Sequence, residues 1–499
     1  MGEAAKISLK AIGMQDTHLL SKDPDDSLFN PSYKQHSEFR KYHRTHTIDN
    51  LQRSEWWPFG HTVKVEFNPR TMGDLLTNLW VKIELPEWTT SEKSDWFYGD
   101  FVGRRLIKNI KMSVDDIILQ ELNSDVLVIF DQLYKSYDQK LSLNSQFNLN
   151  RYSDRFSHVP ELDLDAQNNL FIHIPFFFSQ NYGGDAYEEN RQKKPPFPTC
   201  AIHKQKIQFE IEFHKPTYFI YSTLSSRVLP SKLIDNFKIV TEEITLNNEE
   251  RFYYKTNLIT IPIEIIKKHS SRDIHLKNDR TFSINLEPTI PVKMFHWFFR
   301  SKYYEDEGDY HEIKVQNRMN FKGARFKFSD PLTILGRASF TLNGEVFPRV
   351  TKLDAEYFKR YIPYTSKMSE SGLIPSKLAG RADAYDLTES KVHSSLAYGD
   401  IFSYNFALYP KSTQPSGFLD FSQLNSDKTQ LHIELSNLSK DTLIRYVEDQ
   451  YKYLFGIPSG PLGGNLIAEP FSLENFTMYL YYTGYNMLNF ENGFVSFTS

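Results

Sequence analysis

Strict alternation of apolar and polar side chains limits the possible folds of this chain more than any other feature. In the segment 206–213, Ile207, Phe209, Ile211 and Phe213 fall on one side and Gln208, Glu210 and Glu212 on the other. Successive side chains of a β-strand point to opposite faces, so the pattern predicts a sheet with one buried and one wetted face. The same period sets Val63, Val65 and Phe67 against Thr62, Lys64 and Glu66. It sets Leu79, Val81, Ile83 and Leu85 against Trp80, Lys82 and Glu84, and Leu431, Ile433 and Leu435 against His432 and Glu434. Half-wetted strands in both halves of the chain favour antiparallel β-sandwiches over a parallel α/β sheet. Helical periodicity is brief. It predicts one helix over 124–134, capped by Ser124 with Leu127, Phe130 and Tyr134 on a stripe, and shorter ones over 355–360 and 443–453. No repeat of 20–50 residues marks a solenoid or propeller.

The chain has 499 residues, room for two large all-β domains, and its 39 Phe and 29 Tyr suit strands and wide buried contacts. Mean hydropathy is −0.49, and no apolar run approaches the roughly 20 residues of a membrane span. The opening MGEAAKIS lacks the apolar centre of a secretory signal, and Lys6 stands where a myristoylation motif wants Ser or Thr. A single cysteine, Cys200, leaves no intrachain disulfide and no Cys-rich zinc site, as expected for a reducing compartment. With 58 basic and 62 acidic residues the net charge is −4. No global basic field draws in nucleic acid, and direct sequence-specific nucleic-acid binding is not expected.

Clusters with chemical potential resolve into surface or structure. On a strand His43 and His46, three apart, would point to opposite faces; on a helix they could meet, but no HExxH motif or third ligand accompanies them. Glu305–Asp309 lacks the spacing of a calcium loop, and 459–464 is Gly-rich without the Lys and Ser/Thr of a phosphate-binding loop. No Gly-x-Ser-x-Gly elbow occurs. Arg40, Lys41 and Arg44, interleaved with Phe39, Tyr42 and His43, could form a nucleic-acid patch, but the chain's negative balance favours a structural use. Asn437 and Asn475 open glycosylation sequons that have no secretory signal to serve. The expectation is no catalytic residue, no metal and no cofactor.

The segment 401–422 is more specific. Tyr404, Phe406 and Leu408 alternate with Ser403, Asn405 and Ala407 as in a strand. Pro410 ends it, and Gln414-Pro415-Ser416-Gly417 has turn chemistry, leading to the start of a second strand. The order FAL-x-P-x-x-x-QPSG-x-x-D-FS, closing on Phe421 and Ser422, resembles the major capsid proteins of nucleocytoplasmic large DNA viruses. Other matches follow in family order. Gln15-Asp16 is followed by a basic and aromatic run containing Arg44 and Thr47. Leu342-Asn343-Gly344 precedes Tyr357-Phe358 and Pro363-Tyr364, and 485–488 is similar to the family's closing strand. The chain departs from the pattern by an extra stretch at 25–38 and by Met14 where the family has Gly.

The resemblance implies an all-β fold of two tandem eight-stranded antiparallel jelly-roll sandwiches with long loops and few short helices. It places an N-terminal arm at 1–27, a first roll at 28–247 and a second at 248–499. It implies a major capsid protein without enzymatic activity or cofactor, forming homotrimers with a pseudo-hexagonal outline in an icosahedral virion shell. Partners would be neighbouring capsomers, minor capsid and penton proteins and, through other proteins, an inner membrane. Assembly would take place inside the host cell, in the cytoplasm. A minor capsid or scaffold protein of the same fold, and a carbohydrate-binding or carbohydrate-acting sandwich, are the alternatives.

Overall fold

The computed structural model describes residues 38–48, 54–89, 102–135, 169–180, 194–222, 229–234, 237–276, 278–302, 334–347, 352–368, 401–411, 415–437 and 475–497, with short pieces at 26–27, 30–31, 92, 96–98, 139, 151–152 and 160–161. Sixteen strands carry the architecture. The first eight are β1 (Phe39–Thr47), β2 (Thr62–Phe67), β3 (Leu75–Glu84), β4 (Ile107–Val114), β5 (Ile117–Asn123), β6 (Asn169–His173), β7 (Ile207–Phe213) and β8 (Phe237–Leu246). The second eight are β9 (Ile259–His275), β10 (Thr281–Asn285), β11 (Val292–Ser301), β12 (Leu335–Leu342), β13 (Glu345–Phe347), β14 (Phe402–Asn405), β15 (Gln430–Leu435) and β16 (Asn475–Glu491).

The first set forms two sheets in the orders β6-β3-β8-β1 and β2-β7-β4-β5. The second forms β14-β11-β16-β9 and β10-β15-β12-β13. Adding eight to every strand of the first half reproduces the second, so one antiparallel topology occurs twice. Its chain path is that of a jelly roll. The second half adds Phe494–Phe497 beside β16 and Leu353–Asp354 beside β12.

Alternation builds each core. β7 and β15 bury every second residue, and the buried residues face the opposing sheet. In the first half Phe213 meets Phe237 at 5.4 Å and Phe67 meets His46 at 4.5 Å. In the second, Phe295 and Trp297 of β11 pack on Phe340 of β12 at 5.9 and 6.0 Å. Such edge and stacked ring contacts add specificity to the area they bury.

Local differences from the sequence reading have physical causes. The helix over 124–134 is present, but Asn123 caps it by accepting from the Val126 N–H, and it runs from an α turn into a π turn at Phe130–Tyr134. A second π turn, Tyr357–Tyr361, and a short helix, Ile362–Thr365, occupy the region of the expected 355–360 helix. A helix at Asn248–Thr256, capped by Asn247, stands where the sequence reading placed only the boundary between the two rolls. β14 ends at Asn405, so Leu408 is exposed where alternation would bury it. Beyond the turn, Leu419 makes one bridge to Val292 and Phe421–Gln423 is a 3-10 turn, where a second strand was expected. The expected 443–453 helix lies outside the described residues.

Gly484 in β16 lies against the chain entering β11. A Cβ there would sit 2.5 Å from the Pro291 carbonyl oxygen and 2.7 Å from Ile290 Cδ1. Backbone cannot yield as a flexible side chain does, so Gly484→Ala should destabilise the fold by about 1–3 kcal/mol, the usual cost of overpacking. Urea unfolding followed by tryptophan fluorescence measures it.

Candidate assembly surfaces

The two sandwiches meet in a buried joint. β11 and β16 are buried on both faces. Phe295, Trp297 and Phe299 point into their own core, while Met294, His296, Phe298 and Arg300 form the outer face and are also buried. The cover on that outer face is the 124–134 helix of the first half. Tyr134 OH reaches His296 Nε2 at 3.2 Å and Thr483 Oγ1 at 3.3 Å. Arg300 donates to Asp125 Oδ1, Tyr481 OH donates to Asp125 Oδ2 at 3.0 Å, and Asn123 Nδ2 donates to Tyr481 at 3.1 Å.

A second cluster lies along the same joint. Lys194, from the first half, and Lys293 both donate to Glu264 Oε2, at 2.8 and 2.7 Å. Burial alone would raise the Glu264 pKa, but the two ammonium groups outweigh it and hold the carboxyl down to about 2. Burial pushes Lys293 down to about 8 against the pull of Glu264. His296 is driven to about 3 chiefly by burial, so its imidazole is neutral. On the joint helix itself, Asp131 accepts from Arg104 Nε at 2.5 Å and forms an ion pair with Lys135 at 2.6 Å. Burial works against its charge, yet those cations hold it at about 2. Paired buried charges of this kind fix an arrangement more than they add net stability.

The β9–β16 ribbon extends the joint. β16 runs 17 residues, and its far end crosses to the first half, where Phe490 packs on Phe197 at 5.6 Å. The Asn492-Gly493 turn after it, with φ of 53° and 91°, rests against 203–205, and the Val495 N–H donates to Gln205 Oε1 at 2.7 Å.

The residues singled out by resemblance do not converge on one site; they stabilise separate turns and edges. Gln15, Asp16 and Gln414 lie outside the described residues. Arg44 on the edge strand β1 donates to the Thr71 carbonyl at 2.5 Å and lies 3.7 Å from buried Glu243, while Thr47 is exposed at the strand end. Asn343 and Gly344, with φ of 52° and 92°, form the two-residue β12–β13 turn, which requires positive φ at both positions. Phe358 is buried against Trp297 at 5.2 Å, whereas Tyr357, Pro363 and Tyr364 line an open groove of about 650 Å³. Pro415 is exposed. Ser416 Oγ accepts from the Tyr409 N–H at 2.8 Å and donates to the Tyr409 carbonyl at 3.0 Å, closing the loop, and Gly417 takes φ of 140°. Phe421 is buried against Phe295 at 5.5 Å, and Asp420 caps the exposed Ser422 through its N–H at 3.0 Å.

Of the joint residues, Tyr134 was placed on the stripe of the predicted helix, whereas Asp125, Lys194, Glu264, His296 and Arg300 were not singled out from the sequence. One signal was available: charges embedded in apolar runs, as in VKMFHWFFR at 292–300 and IPIEII at 261–266. Among the described residues no three potential metal ligands gather. The Cys200 thiol is buried and pushed up to about 12, chiefly by burial with Asp74 adding to it.

One jelly-roll topology occurring twice along a chain defines a double jelly-roll fold. Residues 27–253 match the family model described as major capsid protein N-terminus. The major capsid protein of Pyramimonas orientalis virus is 20% identical over 449 residues, covering 88% of this chain and 95% of that one. That of Paramecium bursaria Chlorella virus 1 is 20% identical over 439 residues, covering 84% of each. The fold superimposes on a chain of the PBCV-1 virus capsid with a TM-score of 0.65 at 15% identity, covering 95% of this chain and all of the other. Over most of its length the chain is similar to double jelly-roll major capsid proteins of large DNA viruses, and it has their fold.

The joint is open to a direct test. Glu264→Gln leaves Lys194 and Lys293 together without their anion, and breaking a buried pair from one side costs about 3–5 kcal/mol. Glu264 and Asp131 have lower pKa values folded than their ordinary 4.5 and 3.8. Their stabilisation is therefore complete above about pH 4.5 and fades as pH falls towards 2. Urea midpoints across that window should fall steeply for the wild type and less steeply for Glu264→Gln.

Proposed function

We infer that this chain is the repeating subunit of an icosahedral shell and that its working unit is a homotrimer. The observation that carries this reading is the repeated strand order. Two similar bodies held side by side by a buried joint become six near-equivalent corners when a threefold axis acts on them, a pseudo-hexagonal tile. On this reading 28–247 and 248–499 are the two rolls, and the arm at 1–27 faces the interior and contacts neighbouring components. The role is structural, not catalytic. Neighbouring capsomers, minor capsid proteins and penton proteins are its partners, and an inner membrane is reached through other proteins. Assembly takes place in the host cytoplasm. The net charge of −4 supports a shell separated from the genome by another layer.

Light scattering coupled to size exclusion tests the unit. The expected mass is about three times the 58.5 kDa of one chain. A monomer that keeps its β-sheet spectrum at every accessible concentration would overturn the spontaneous homotrimer.

A further inference from the structure

One histidine outside the joint holds a backbone segment by a bond that only its neutral form can make. His269 stands in β9 where the ladder to β16 slips by one residue, between Lys268 opposite Tyr481 and Ser270 opposite Leu480. Such a bulge leaves the extra residue out of the ladder and re-aims its side chain. The ring reaches the strap 286–291, which joins β10 to β11. Its Nε2 accepts from the Glu287 N–H at 3.0 Å, and its Nδ1 lies 3.0 Å from Ser270 Oγ. A backbone N–H can only donate, so Nε2 carries no proton here. In the neutral ring the proton sits on Nδ1 and is donated to Ser270.

The strap is pinned at both ends. The Leu286 N–H donates to the Thr429 carbonyl at 3.0 Å, the Pro291 carbonyl accepts from the Tyr485 N–H at 3.0 Å, and Val292 exchanges two bonds of 2.8 Å with Leu419. Between these points Pro288 has no N–H to give. The middle is held by His269 through the Glu287 N–H and by Thr289, whose hydroxyl lies 3.3 Å from that of Tyr482. The Tyr482 ring also meets the imidazole edge-on, 6.1 Å between centres. The groups facing His269 are thus the Glu287 carboxylate from the strap and the Tyr482 hydroxyl from β16, with Lys267 and Lys268 beside it on β9. Burial lowers the His269 pKa from 6.5, and the Glu287 carboxylate opposes that pull.

We propose that His269 is an acid-sensitive clasp: neutral, it pins Glu287 by its N–H, and protonated, it releases that N–H and takes the Glu287 carboxylate in exchange. Protonation places an N–H on Nε2, so two donors meet and the bond becomes repulsive. The acceptor that the charged ring then needs is carried by the residue it lets go. A ring whose pKa is lowered in the clasp binds its proton more readily once released. The clasped form is therefore complete well above pH 6.5 and gives way as pH falls below it. Val292 and Lys293 follow the strap directly, so its release reaches the strand that supplies Lys293 to Glu264.

Hydrogen exchange of the full chain, resolved to single amides and corrected for the pH dependence of intrinsic exchange, tests the clasp. Between about pH 7.5 and about pH 5 the Glu287 amide should lose protection about tenfold, because such an opening gains at most about tenfold per pH unit. The Leu286 amide, bonded to Thr429, should keep its own protection. His269→Gln offers an uncharged oxygen as acceptor, so its Glu287 protection should not change with pH. Glu287→Gln keeps the N–H but removes the carboxylate, so the loss should begin at lower pH. Flat wild-type protection at Glu287 overturns the proposal, as does a parallel loss at Leu286, which marks general unfolding in acid. A His269→Gln variant that loses protection as the wild type does assigns the proton to another group and overturns it too. Should His269→Gln fail to fold, the wild-type and Glu287→Gln profiles decide alone, and identical profiles overturn the exchange of N–H for carboxylate.

Discussion

A sheet buried on both faces is the constraint on which the rest of this structure depends. β11 and β16 carry large side chains above and below, and neither face survives in water without a cover. One cover is the partner sheet of their own sandwich, and the other is the first half of the chain. The polar atoms trapped between them, Asp125 with Arg300 and Glu264 with Lys194 and Lys293, each require a partner at one distance and direction. Apolar packing alone would permit the halves to slide. These pairs do not, because a displaced buried charge loses its counter-ion without regaining water.

The repeat and the joint give the two halves different characters. Equivalent strands in the two halves face different surroundings, and their side chains differ accordingly. Phe298 and His296 are wholly buried, and Phe171 is partly exposed. Two sandwiches of one topology have thereby become chemically distinct halves of one chain.

Much of the fold was legible because most strands expose one face. β7 and β15 show their period residue by residue. The strands of the joint were less legible for the opposite reason: a strand buried twice has no polar alternation to display, and 292–300 reads as one apolar run with misplaced charges. β14 was legible from the alternation beginning at Ser403 and Tyr404, though it stops at Asn405. The Asn248–Thr256 helix was missed: 247/248 was read only as the division between the rolls. Yet Asn247 followed three residues later by Glu250 is a helix-start signature, and Asn247 does accept from the Glu250 N–H at 2.8 Å. The joint itself links residues as distant as Asp125 and Arg300, and no local pattern records such a pairing.

The connector between the sandwiches has a consequence of its own. It is a capped helix anchored by Arg251, whose guanidinium grips Asp74 of the first half through two bonds of 2.8 Å. Such a link does not wander like a flexible linker, so each sandwich meets the other's surface at a high local concentration. Half the contacts of a six-cornered ring would then form during folding, at no cost in the freedom of separate molecules. Only three bodies would remain to be gathered in place of six.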